Sequence, residues 1–163
     1  MLTHERLREV LHYEPSTGVF TWRVSRYAAR VGTPAGCSYG ETGYFRVKVD
    51  QRAYLAHRLA WFYVTGEWPE DEVDHIDGDR ANNAWENLRA ASRQENGRNT
   101  RRPANNTSGV KGVSYSKSRR EWRAAIRDGA RYAYHGWFKT QDDAVSAVLA
   151  HRAAAHGEFA RHG

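Results

Sequence analysis

The chain has 163 residues, 40% hydrophobic and 27% charged, with a formal net charge of +6; this admits one ordinary domain or two small ones and excludes a disordered chain. Cys37 is the single cysteine, which rules out an intramolecular disulfide and a cysteine-rich zinc cage. The longest apolar run, residues 59–64, is far too short to span a bilayer, and the first residues lack the apolar core of a secretory signal, so a soluble intracellular protein with no membrane partner is expected.

Charge is unevenly spread. Between Arg89 and Arg131 twelve Lys and Arg stand against three acids, a local net of +9, so the flanks together carry −3. Positive charge focused on the middle of a chain favours a polyanionic partner through counterion release and steering. A merely solvated basic face is the alternative.

In chain order, Thr3 caps an apolar pattern at Leu7, Val10 and Leu11, predicting a short amphipathic helix that runs up to Pro15-Ser16-Thr17-Gly18. Residues 19–22 read as a strand, and 26–43, with four glycines and a proline, as a loop. Phe45, Val47 and Val49 alternate with polar residues as in a half-buried strand. Leu55, Leu59, Phe62 and Tyr63 then predict a helix stopping at Gly66. Residues 70–79 read as a strand entering an Asp-Gly turn, and 88–90 as a second brief strand. Ser92 and Glu95 form a capping box opening a helix that carries Asn96 and Asn99. The stretch 101–108, with Pro103 near its start, cannot continue that helix and reads as a linker. Beyond it, strands are expected at 112–115, 121–127 and 132–138, then a helix capped by Thr140, with the apolar stripe Ala144, Val145, Val148 and Leu149. The fold class is therefore α+β, with domains at 1–100 and 109–163. The second is a small three-stranded antiparallel sheet packed on one helix.

The chemistry concentrates between Asp74 and Asn99. Hydrolysis of a phosphodiester needs a water, a base to deprotonate it and positive charge near the developing oxyanion. His75 is a base that titrates near neutrality. Asp74 and Asn96 supply the oxygen donors a hard divalent cation prefers. A calcium loop starting at Asp74 fails, because its twelfth position is Trp85 rather than Glu. A zinc site from His57, His75 and Cys37 lacks closely spaced ligand pairs.

The run Val73-Asp74-His75-Ile76-Asp77-Gly78-Asp79, with Asn82-Asn83, Asn87-Leu88-Arg89 and Glu95-Asn96, resembles the HNH nuclease motif of phage and intron-encoded homing endonucleases. The segments around Tyr54–Trp61 and Tyr13–Trp22 resemble the same enzymes, so the likeness spans roughly 7–99. It implies a ββα-metal finger in which Asp74 and Asn96 bind one magnesium or manganese ion and His75 activates water. Asn87 would brace the loop and so orient His75. Asn82 and Asn83 read as turn formers. His57, Arg58 and Arg89 are candidates for support of the site or phosphate contact.

Residues 108–160 resemble the plant ethylene-response-factor type of DNA-binding domain, through Lys111-Gly112-Val113, Trp122 to Asp128, Gly136-x-Phe138 and the helix from Gln141. The likeness implies a sheet lying in the major groove of double-stranded DNA. Strand alternation turns Trp122, Ala124 and Ile126 to the helix and leaves Arg123 and Arg127 on the open face. Tyr132 and Tyr134 are expected on that face too, extended by Lys111, Tyr115, Lys117 and Arg120. Protein contacts are the rival use of such a sheet. The whole reads as a DNA endonuclease of a phage or mobile element acting in bacterial cytoplasm, as a monomer or weak dimer. The rival reading is a DNA-binding regulator with a catalytically silent HNH scaffold.

Overall fold

The computed structural model describes residues 1–25, 29–99, 106–128 and 131–156. The chain is mixed α and β with several small antiparallel sheets and divides into two compact units, Met1–Ala91 and Ser92–Gly163.

The first unit opens with helix α1 (His4–Val10), whose N-cap Thr3 accepts from the Arg6 amide. The helix is shorter than its apolar spacing predicts. Leu11 leaves it to begin β1 (Leu11–Glu14), which pairs antiparallel with β2 (Val19–Trp22) around the Pro15–Gly18 turn. Leu11 and Tyr13 alternate inward along β1 and are fully buried, so tertiary pairing overrides the local helical period. The glycine-rich loop holds a two-residue strand β3 (Cys37–Ser38) and a 3-10 turn at Gly40–Thr42; residues 26–28 of it lie outside the described residues.

Strand β3 joins β4 (Phe45–Val49) and β5 (Arg52–Leu55) in one antiparallel sheet. Strand β5 is invisible to periodicity because its hairpin turns on Asp50 and Gln51, both at positive φ, rather than on glycine. Helix α2 (Ala56–Thr65) follows at once and ends at Gly66 in the left-handed region. Its buried face, Ala56, His57, Leu59, Ala60 and Phe62, packs into a core with Leu7, Val10, Tyr13, Phe20, Val47 and Val49. Strands β6 (Glu72–His75) and β7 (Leu88–Ala91) form a separate antiparallel pair, anchored to that core by Val73 and Leu88.

In the second unit, helix α3 (Arg93–Arg98) begins with both bonds of the Ser92–Glu95 capping box. Of the expected linker, residues 101–105 lie outside the described residues. Asn106 and Ser108 belong to the following structure, donating to the Val110 and Val113 carbonyls. Strands β8 (Val113–Ser116), β9 (Glu121–Asp128) and β10 (Arg131–Phe138) make a meander. Helix α4 (Gln141–His156) lies against it, and Asp143 donates its amide to the Thr140 hydroxyl at its start. Val113, Ala124, Ala144 and Val148 form the small core between them. Of the expected stripe, Val145 is half-buried while Leu149 is exposed.

Candidate active site

Strand pairing places the first residues of interest. Asp74 stands opposite Arg89 and His75 opposite Leu88. Asp74 and His75 are each 4% exposed. A carboxylate this deep needs a partner, and Arg89 supplies one: its Nε and Nη2 both donate to Asp74 Oδ2, at 3.0 and 2.8 Å.

The connection from Ile76 to Asn87 is held by its own side chains. Asn87 accepts from the Asp77 amide at 3.0 Å and donates to Asp77 Oδ1 and the Asn82 carbonyl. Asn82 donates to Asp77 Oδ2, and the Asp79 amide to Asp77 Oδ1. Burial raises the Asp77 carboxyl, but bonds from Asn82, the Asp79 amide and Asn87 outweigh it and hold the group below its ordinary value. Asn87 thus ties both ends of the loop together.

Asn83 goes beyond the turn-forming role its sequence suggests. Its Nδ2 donates to the Ala81 carbonyl at 2.9 Å, which turns Oδ1 toward His75 Nε2 at 3.3 Å. An oxygen there asks for a proton on Nε2, so the hydrogen-bond network assigns the neutral ring its lone pair on Nδ1. Burial pushes the His75 imidazole below its ordinary value; the Asn83 contact and the nearby carboxylates oppose it.

Asn83 is itself fixed by the N-terminal hairpin. Tyr13 Oη donates to the Asn83 carbonyl at 2.7 Å, and the Trp85 amide to the Pro15 carbonyl at 2.8 Å. Gly18, at φ +72°, passes so close that a Cβ would sit 2.2 Å from the Asn83 carbonyl carbon. Only glycine fits both the angle and the space.

His57, the second residue of α2, packs edge-on against His75 with ring centroids 4.9 Å apart, and Tyr44 lies 5.2 and 6.1 Å from the two rings. Arg80 stacks over Tyr44 at 4.6 Å and donates to the Thr42 carbonyl. His57 is 5% exposed, and its Nδ1 has no hydrogen-bond partner among the described residues. Burial, then repulsion from His75 when that ring is protonated and from Arg58, push its pKa down to about 3. Arg58 donates to the Asp71 and Pro69 carbonyls, bracing the segment after α2.

Asp74, His75, Asn83, Asn87, Arg89 and His57 are therefore gathered within the first unit. Asn96 lies on α3, half-buried, in the second. A buried carboxylate and an amide carbonyl are donor types that suit a hard divalent cation. Among the described residues no three His, Cys, Asp or Glu side chains cluster into a closed metal cage.

The open face of the β8–β10 sheet is the second surface of interest. Register places Ser114, Arg123 and Trp137 in one row, Ala125 and His135 in the next, then Arg127 and Tyr132. Arg123 and Arg127 both donate to Tyr132 Oη, at 2.6 and 3.2 Å. These contacts, Arg127 first, hold the phenol below its ordinary range. Two expected members lie on the other side. A bulge between Tyr132 and Tyr134 breaks the period of two, so Tyr134 pairs with Ile126 and stacks on His151 of α4, centroids 3.9 Å apart. Tyr115 stands opposite Trp122 and touches its ring, on the helix side of the sheet. Lys111 precedes β8, with its carbonyl bonded by Arg152, while Lys117 and Arg120 are exposed in the β8–β9 turn. Alternation alone missed His135 and Trp137, and also Arg119, which stacks over Trp137 at 4.7 Å.

Residues 54–98 match the family model of the HNH endonuclease. The chain is 39% identical to Protein 3.8 of Escherichia phage T7 over 113 residues, covering 68% of this chain and 91% of that protein. No solved structure matches the chain. No helix among the described residues is long and apolar enough to cross a membrane.

The buried His57 predicts a specific acid sensitivity. Its unfolded pKa is near the ordinary 6.5 and its folded value about 3, so the unfolded chain takes a proton that the folded ring refuses. Its contribution is complete above pH 6.5 and falls as pH drops toward 3, by up to about 1.4 kcal/mol per unit. Urea unfolding at pH 7 and pH 5 should show His57→Phe losing about 1–2 kcal/mol less than the parent over that interval. Equal losses would mean that His57 is not held neutral.

Proposed function

We propose, from the premise that the chain belongs to the HNH-type phage protein family that includes Protein 3.8 of Escherichia phage T7, that it is a metal-dependent DNA endonuclease. The observation that carries this reading is the pairing of a buried carboxylate, Asp74, with an adjacent imidazole aimed by Asn83, inside the segment that matches the HNH endonuclease.

His75 is the general base: with its proton on Nε2, Nδ1 takes the proton of the water that attacks phosphorus. Asn83 keeps that tautomer in place, and Asn87 keeps the loop from moving the ring. Asp74 and Asn96 would hold one magnesium or manganese ion, which supplies Lewis-acid stabilisation of the developing phosphorane charge. Two protein donors would leave room for water and substrate oxygens on such an ion. The elements run strand β6, strand β7, helix α3 in chain order, the order of a ββα-metal finger. One such finger holds one active site, so a monomer nicks one strand.

The C-terminal sheet binds double-stranded DNA through its open face, as the ethylene-response-factor resemblance implies. Arg123 and Arg127 contact phosphate or base edges beside Tyr132, and Lys111, Lys117 and Arg120 add charge at its margin. The protein acts in the cytoplasm of the bacterial host, where its substrate lies.

A second reading, a DNA-binding regulator with a silent HNH scaffold, draws on the ion pair that already engages Asp74. Supercoiled plasmid incubated with manganese separates the two. The nuclease reading expects nicked circles that vanish with chelator and in His75→Ala, Asp74→Ala and Asn96→Ala, with cleavage falling at least about 10²-fold in the first. DNA retention by His75→Ala is expected in the same gels. Intact plasmid under every metal condition would leave the regulator.

For the sheet, Arg123→Ala combined with Arg127→Ala should weaken binding and lower the slope of log affinity against log salt by about one for each phosphate the variant no longer neutralises. A slope identical to the parent's in a gel-shift titration would place DNA elsewhere.

A further inference from the structure

The Asp74–Arg89 pair is unusual in joining a proposed cation ligand to a competing cation. Its side chains are 5% and 13% exposed, and their positions are fixed by direct opposition across β6 and β7. Two guanidinium nitrogens, Nε and Nη2, converge on one oxygen, Oδ2. A divalent ion on the same carboxylate would sit within a few ångströms of a permanent positive charge, where repulsion is poorly screened. Taking Arg89 away would leave Asp74 buried without this counter-charge, which is strongly unfavourable.

We propose that Arg89 is a gate on cation binding: its ion pair with Asp74 opposes the divalent ion and yields either to a saturating concentration of that ion or, at lower concentration, when a DNA phosphate offers the guanidinium another anion. This rests on the nuclease reading and on Asp74 as a cation ligand. A guanidinium moves readily between carboxylate and phosphate, because both accept its fork of N–H donors. Cation and DNA then bind cooperatively, and by linkage each raises the affinity for the other by the same factor. The gate would keep a divalent ion from settling beside a competent base before substrate is in place.

Manganese titration followed by the electron paramagnetic resonance of free Mn2+ tests the gate without DNA or turnover. Arg89→Gln should bind one Mn2+ at least about tenfold more tightly than the parent, Arg89→Lys should stay close to the parent, and adding Asp74→Asn to Arg89→Gln should abolish the tighter binding. In the parent, the Arg89 Nε–H resonance should lose its protection from exchange when Mg2+ saturates the protein, a readout that needs no variant to fold. Unchanged or weaker Mn2+ binding by folded Arg89→Gln, or an Nε–H that stays protected at saturating Mg2+, overturns the gate. If Mn2+ still reaches the parent on added DNA in a manner that Asp74→Asn abolishes, only the gate has failed. If Asp74→Asn changes no Mn2+ binding, with DNA or without, the metal site falls with it.

Discussion

Everything around the site depends on the register of two four-residue strands. Because side chains alternate along a strand, the pairing of β6 with β7 decides at once that Asp74 meets Arg89 and that His75 meets Leu88. A slip by one residue would strand a buried carboxylate opposite an apolar side chain and turn the imidazole away from Asn83. Val73 and Leu88 hold that register from the core side, and the Asp74–Arg89 ion pair holds it from the polar side. The two requirements agree, so a very short ladder is well determined.

The surroundings serve the same end. The loop joining the strands carries one 3-10 turn at Trp85–Asn87, and several of its backbone groups are satisfied through the side chains of Asp77, Asn82 and Asn87. The N-terminal hairpin reaches across from a remote part of the sequence and clamps Asn83 through Tyr13, Pro15 and the bare backbone at Gly18. Within this site, His57 Nδ1 has no hydrogen-bond partner among the described residues. Leaving a buried polar nitrogen unpaired costs about 1–3 kcal/mol. Its edge contact with the His75 ring accounts for where the side chain sits, because a neutral imidazole stabilises a neighbouring imidazole's orientation without adding charge.

Much of this could be read from the residues. Asp74, His75, Asn87 and the Ser92 capping box announce themselves through residue type and spacing, and helix α2 through its apolar period. Other features depend on distant partners. Leu11 continues the helical spacing of Leu7 and Val10, yet it opens a strand because β2 returns beside Leu11–Glu14. The β4–β5 turn uses Asp50 and Gln51 where glycine or asparagine would have signalled it. Asn83 looks like any turn asparagine until Ala81 and His75 are seen on either side of its amide. On the β8–β10 sheet a single bulge reverses the face of Tyr134, and strand parity cannot foresee a bulge.

The proposed nuclease requires one divalent ion to be held by two oxygens from separate parts of the chain, Asp74 and Asn96, with His75 as the base. Anomalous diffraction from crystals of the protein bound to duplex DNA and grown with manganese locates that ion directly. The proposed site should give an anomalous peak about 2.0–2.4 Å from both an Asp74 carboxylate oxygen and the Asn96 carbonyl oxygen. A manganese peak bound elsewhere, with Asp74 still held by Arg89, would contradict it.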